Sequence, residues 1–364
     1  MRLLGALDRL WFADGSATRL AVLRIVLGVA TLVEFGPRFW YFSSIAESSP
    51  TLFEPAGLAR VLEGPISVQL FQVIFIMTVL ANVAFILGWR FDRTGPLFAG
   101  LLIWLLCYRN SWSMIYHSDN LVIWHILILG LTRSADALSL DARKDWSLVH
   151  FARRLTGKAM VLASPALARP VWHWEYGYPI KLLCAVTAVV YVLSGVAKVA
   201  GPLGWEWSLG EGLRNQVAYD GLRKELIDEG AQPLAFWLYN NVALATVMGV
   251  GTLVIELGAP LVLLSWRLGI LWAAGAFAMH WGIYAIMGIT FWYQLSGLAF
   301  LPFVVGERLV AWGTSDAPLL ARGLAKTLAA WAAEPRRGNV AVTPAVAVHG
   351  APHVAPHGTL PDPG

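Results

Sequence analysis

The sequence predicts an all-α integral membrane protein, a polytopic bundle of about eight transmembrane helices. Three observations lead there. Of 364 residues, 57% are hydrophobic and 14% charged, with a mean hydropathy of +0.60; a typical soluble domain is about 45–50% apolar and about 25% charged. There are 18 tryptophans, and amphipathic aromatics gather at membrane interfaces. Lys and Arg are unevenly shared between alternate loops, as topology requires. This composition excludes an ordinary soluble enzyme and a disordered or collagen-like chain.

A bilayer core of about 30 Å is crossed by about 20 apolar residues in a helix. Residues 1–19 read as a cytoplasmic N-terminal segment. The bundle runs over 20–306, with spans at Leu20–Gly36, Ile66–Gly88, Gly95–Arg109, Asn120–Leu131, Pro179–Ala200, Val242–Leu264, Leu268–Ile289 and Phe291–Gly306. The Gly288–Phe291 join is so short that the last two spans form a close hairpin or one is re-entrant. The first apolar run carries Arg24 and lacks a small-x-small cleavage site, so no cleavable signal peptide is expected. Cys107 and Cys184 lie inside apolar runs, which speaks against a disulfide framework.

With the N-terminus in the cytoplasm, 19 of the 27 Lys and Arg fall on the cytoplasmic side and 6 outside, while Arg24 and Lys198 lie within spans. That bias puts both termini in the cytoplasm. Residues 132–178 form a basic cytoplasmic loop whose LVHFARRLTGKAMVLA stretch is an amphipathic helix beside anionic lipid or a solvated loop. Residues 201–241 form the outer loop, with GWEWSLGEGL before a charged helical stretch. Residues 307–333 read as a cytoplasmic helix and 334–364 as a disordered Pro/Gly/Ala tail. In that tail Pro352 and Pro356 break the helix that would align His349, His353 and His357, so no metal site is expected. The net charge of +4 reflects loop placement and not nucleic-acid binding.

Ionisable residues inside a membrane are costly, about 2.5–3.5 kcal/mol each on insertion scales, and are functional candidates by default. Lys198, in VVYVLSGVAKVAG, counts about 25 Å up its helix from Lys181. It either snorkels to outer headgroups or is a partly buried amine able to act as a base. Ser194 and Gly195 one turn earlier would let another helix or a flat ligand come close. His117, among Arg109, Asn110, Asp119 and Asn120, is part of a wet loop or an acid/base group at the bundle mouth. His280 bonds a neighbouring helix or joins the site, with Glu256 a possible partner. His125 reads as structural. Arg24 is expected to meet an acid or backbone carbonyls. Lys198, His117 and His280 are expected to line one outward-facing cavity, with aromatic walls drawn from Trp112, Tyr191, Trp205, Trp281 and Trp292.

The stretches LRIVLGVATLVEF, YHSDNLVIWHILIL with the ALSLDAR exit, YPIKLLCAVTAVVYVLSGVAK, and VIELGAPLVLL through AMHWGIYAIMGITFWYQLSGLAFLPF cover most of residues 20–305. In order and spacing they resemble the horizontally transferred transmembrane (HTTM) domain, the membrane part of vitamin K-dependent γ-carboxylase and of smaller bacterial proteins. The resemblance implies a quinol site: a vitamin K hydroquinone or related quinol is deprotonated, oxygen adds to make a strongly basic oxide, and carbon dioxide adds to a peptide glutamate carbanion. It implies Lys198 as base and His117 (with Ser118) and His280 as further catalytic residues; Arg109, Tyr191, Trp205, Trp281 and Glu256 are read, from their type and place, as cofactor-binding. The family's two adjacent lysines are here Ala197 and Lys198, and residues 304–364 offer no counterpart of the carboxylase's large luminal domain. Three readings follow: a quinol-dependent membrane enzyme; a non-catalytic protein assisting maturation or export of a secreted peptide; and a small-molecule transporter, which the lack of internal repeats disfavours.

Overall fold

The computed structural model describes residues 2–112, 116–142 and 172–304. The LVHFARRLTGKAMVLA stretch, the helix expected at 307–333 and the tail 334–364 lie outside the described residues.

The described chain is all-α apart from one two-residue ladder. Its helices are α1 (Arg2–Trp11), α2 (Ala17–Phe35), α3 (Phe39–Ala46), α4 (Val68–Leu87), α5 (Phe91–Asn110), α6 (His117–Gly130), α7 (Trp174–Val199), α8 (Glu211–Leu226), α9 (Pro233–Tyr239), α10 (Val242–Leu257), α11 (Trp266–Met287) and α12 (Trp292–Leu295). The strands β1 (Gly15–Ser16) and β2 (Trp172–His173) pair antiparallel and fasten the start of α2 to the start of α7.

Six of the expected spans coincide with helices to within about five residues, whereas the helix of the span expected at Val242–Leu264 stops at Leu257 and gives way to a 3₁₀ turn over Ala259–Leu263. Four helical runs are long and apolar enough to cross a membrane: Ala17–Ala46, Val68–Leu87, Trp174–Val199 and Trp266–Met287. The pair α9 and α10, bent by 101°, would make a fifth if counted as one span. About eight spans is therefore not reached by length and composition among the described residues. Helix α6 has 14 residues. The eighth expected span is broken: α12 has four residues, Gly297 turns at φ 78°, and a 3₁₀ turn runs over Leu298–Phe303. The left-handed Gly297 and then Pro302 prevent a continuous helix.

Helices α2, α4, α5, α6 and α7 pack in sequence around a core that includes Leu20, Leu27, Phe85, Phe98 and Leu102. One face of α4 carries Phe71, Phe75, Thr78, Asn82 and Phe85, all buried, at the three- and four-residue spacing of a helix stripe. A second, smaller core of Val217, Ala235, Leu238 and Ala245 binds α8, α9 and the start of α10. These elements form a cap past the end of α7.

Arg24 sits at the heart of the bundle, fully buried. Its guanidinium donates to the carbonyls of Phe85 (2.8 Å) and Leu138 (2.7 Å) and lies over the Phe91 ring. Of the two expected partners, it takes carbonyls. The Phe85 carbonyl belongs to the last turn of α4, where it accepts from the Gly88 N–H (3.1 Å) and still has a lone pair for Arg24. The ALSLDAR segment completes this clamp. Leu140 N–H bonds the Leu87 carbonyl, and the Asp141 carboxylate caps α5 by accepting from the N–H groups of Arg90 (2.9 Å) and Phe91 (2.7 Å).

Candidate functional site

Lys198 ends in an ion pair. Its Nζ lies 2.6 and 2.8 Å from the two carboxylate oxygens of Glu256. The Lys198 side chain is 22% exposed and that of Glu256 6%. The Trp207 ring lies 5.2 Å from the ammonium, a cation–π contact. Gly195 explains why the pair can form: a Cβ there would stand 3.0 Å from Glu256 Cβ and 2.8 Å from a Leu257 methyl. The expected close approach at Gly195 is thus made by a helix, α10. On α10 itself, Ala245, Gly249, Leu253 and Glu256 form the buried stripe. Gly249 lies against the backbone of Ser208 in the 3₁₀ turn Gly204–Leu209, and that turn carries Trp207.

Glu256 is a possible partner of His280 by sequence, though it counts deeper from the outer face than His280. The reason it meets Lys198 is a difference in helix level. Glu256 comes 14 residues after Val242, the first residue of α10, about 21 Å along the axis. Lys198 is one residue from the end of α7. Helix α10 therefore continues about 20 Å past α7, and the cap surrounds that extension. The Lys198 side chain therefore ends on Glu256, between the bundle and the cap.

His280 is buried, and its Nδ1–H donates to the Ala276 carbonyl at 2.9 Å, with the Tyr191 hydroxyl 3.4 Å from the same nitrogen. Nε2 is thereby left as the lone-pair nitrogen. Tyr191 stands two turns before Lys198 on α7, edge-on to Trp272 (4.8 Å between ring centres) and to His280 (5.7 Å). So Tyr191 joins His280, and Glu256 joins Lys198. No hydrogen bond or ion pair among the described residues links Lys198 directly to His280.

Arg109 belongs to a separate cluster. It pairs with Asp119 at 2.6 Å, both side chains 5% exposed, and its guanidinium lies over the Tyr116 ring at 4.2 Å. Trp292 Nε1–H donates to the other Asp119 oxygen at 2.9 Å. This cluster ties α5, α6 and α12. His117 opens α6 beside it, and its side chain lies outside the described residues. Trp205 and Trp281 are 66% and 46% exposed, so these two expected wall residues face outward. Trp112 is buried with Phe53 and Tyr108 in another aromatic cluster.

His125 behaves as read. Thr187 Oγ1 donates to the Leu183 carbonyl, so it accepts from His125 Nε2–H (3.0 Å), and Nδ1 accepts from the Tyr293 hydroxyl (2.6 Å). The residue missed at the Lys198 site is Trp207. Its signal was GWEWSL directly after the lysine helix, where Trp205 was chosen two residues too early. Among the described residues no group of His, Cys, Asp and Glu is arranged to hold a metal. No family model, curated protein or solved structure matches the chain.

Chemically, the Lys198–Glu256 pair combines one mobile proton, one cation and one carboxylate at a rim that is partly open. Moving the proton from Nζ to the carboxylate leaves a neutral amine beside a carboxylic acid. The amine is then a base, and the step leaves the net charge unchanged.

Proposed function

We propose that this chain is an integral membrane protein of the HTTM type, with both termini cytoplasmic in a bacterial inner membrane, that deprotonates a lipid-soluble quinol at Lys198. The observation that supports it is the two-pronged Lys198–Glu256 contact at 2.6 and 2.8 Å, on the motif where the resemblance puts a base. Glu256 takes the lysine's proton, and the neutral Lys198 amine would then be placed to accept a proton from a bound quinol hydroxyl and hold it as the ammonium. When bound, the quinol supplies the ring that oxygen attacks. Trp207 flanks the ammonium, and Tyr191 with His280 form the next polar layer along α7. Carbon dioxide uptake into a secreted peptide's glutamate is a further step of the same proposal.

The test is quinol oxidation by purified protein. Lys198→Arg should abolish it, because guanidinium stays protonated at any working pH, and Glu256→Gln should abolish it by removing the internal proton acceptor. Peptide carboxylation is read separately by carbon dioxide incorporation. Wild-type rates in both variants would end the catalytic reading.

One observation favours a second reading. Both carboxylate oxygens already engage Nζ, so the pair can serve solely to pin α7 to α10 in a non-catalytic protein that helps a secreted peptide mature. In that case Lys198→Arg keeps the pair and leaves peptide maturation in cells unchanged, and purified protein oxidises no quinol.

A further inference from the structure

Between α10 and α11 lies an apolar cavity of about 230 Å³. We infer that it holds one acyl chain of a bilayer phospholipid, an inference that rests on the membrane reading above. Two glycines make the space: a Cβ at Gly251 or Gly282 would meet nothing within 4 Å. The remaining wall is aliphatic and thioether, including Met248, Ile255 and Met279, with the Thr252 hydroxyl as the one polar side-chain group. Side chains line both of its ends. Leu213, Val217 and Leu238 of the cap roof one end. At the other, Ile255 meets the Gly275 side of α11, and the Ile255 carbonyl accepts from Trp272 Nε1–H at 2.8 Å.

A way in lies sideways, between the two helices. Helical periodicity decides what lies there. On α10, Val247 and Val254 flank the cavity on one side and Glu256 on the other; on α11, Leu271 and Trp281 take the first side and His280 the second. Val247, Val254 and Leu271 are each about two-thirds exposed, so the lips of the mouth are apolar and continuous with the outer face of α11, one of the four helices able to cross a membrane. Hydrocarbon is the solvent at such a face. A wall with a single hydroxyl gives a quinone ring or a headgroup nothing to hold, whereas a plain chain needs only shape and apolar contact. The chain acts as a wedge. Glu256 and His280 directly follow the wall residues Ile255 and Met279, so its presence sets the spacing of the two helices that carry them.

The test uses vesicles of phosphatidylethanolamine and phosphatidylglycerol containing phosphatidylglycerol with a diazirine midway along one acyl chain. After reconstitution and photolysis, peptide mapping should place label on Met248–Ile255 and Gly275–Ile286. The Gly251→Leu/Gly282→Leu variant, which fills the cavity, should take several-fold less label there while Val247 and Leu271 label as before. Mass spectrometry of lipid retained through detergent purification should show phospholipid with the wild type and less with the variant. Label confined to the lips, undiminished label in a folded variant, or a retained isoprenoid quinone in place of phospholipid would overturn the inference. The wild-type map decides by itself if the variant does not fold. Protein that extracts into buffer without detergent would instead sink the membrane reading.

Discussion

Arg24 and Lys198 are the two basic residues that the sequence places inside spans, and the fold neutralises them in opposite ways. Arg24 is enclosed in the bundle and answered by dipoles, the carbonyls of Phe85 and Leu138. Lys198 stands where bundle meets cap and is answered by a full charge, Glu256. A guanidinium stays protonated at any working pH, and among carbonyls it serves as a fixed brace. An ammonium against a carboxylate has an acceptor at hydrogen-bond distance and is 22% exposed. The difference separates a structural cation from one able to do proton chemistry, although both were equally costly to place in an apolar segment.

The sharpest way to break the comparison is Arg24→Ala, the largest expected effect. It leaves the Leu138 carbonyl without its Arg24 donor, worth about 1–3 kcal/mol, strips the Phe85 carbonyl of one of its two donors, and empties the space under Gly88. Thermal unfolding in detergent should show a large drop in Tm, with Arg24→Lys recovering only part, since one ammonium cannot reproduce the fork. Unchanged Tm in Arg24→Ala would show the clamp to be idle.

Next come the two members of the pair. Removing one partner of a buried ion pair costs about 3–5 kcal/mol, and partial exposure of Lys198 should bring the loss below that range. Replacing both, as Lys198→Met with Glu256→Leu, should restore most of the stability, because an apolar pair in the same place avoids the desolvation penalty. A double-mutant cycle reads the coupling directly. Additive losses would mean that the two side chains do not interact in the membrane-embedded protein.

Asp141→Ala should cost about 0.5–2 kcal/mol, the usual worth of a helix cap, and Asp141→Asn should cost less by keeping a capping oxygen. Hydrogen exchange at the Arg90 and Phe91 amides is the direct readout, and unchanged protection would remove Asp141 from the clamp. Smallest is Trp207→Leu. Losing the ring over the partly exposed Lys198 should lower stability by about 0.5–1 kcal/mol, with the Lys198–Glu256 coupling energy kept.

The positions of the helices were legible because apolar runs and their breaks are local. Residues 66–88 were expected and Val68–Leu87 is found; 268–289 were expected and Trp266–Met287 is found. The eighth span, read either as half of a close hairpin or as re-entrant, is broken at Gly297, whose left-handed turn hydropathy does not register. The site was half legible. Lys198, Glu256, Tyr191 and His280 were each singled out by chemistry, but Glu256, a possible partner of His280 by sequence, meets Lys198 instead. Counting depth along a helix assumes that neighbouring helices start at one level, and α10 begins about 20 Å beyond the end of α7. Trp205 and Trp281 were plausible wall residues by type, and only packing turned them outward.

By itself, then, the sequence determined which segments are helical and apolar, and that Arg24 and Lys198 each require a partner, because the cost of an unanswered charge in an apolar environment depends on the residue alone. Which partner each received was decided by tertiary structure. Gly195 lets α10 approach α7 at the height of Glu256, and the ALSLDAR segment brings the Leu138 carbonyl to Arg24. Both contacts join residues far apart in the chain (58 positions for the pair, 114 for the clamp), and such distances in space are set by how helices stack and where they end, which no local pattern encodes.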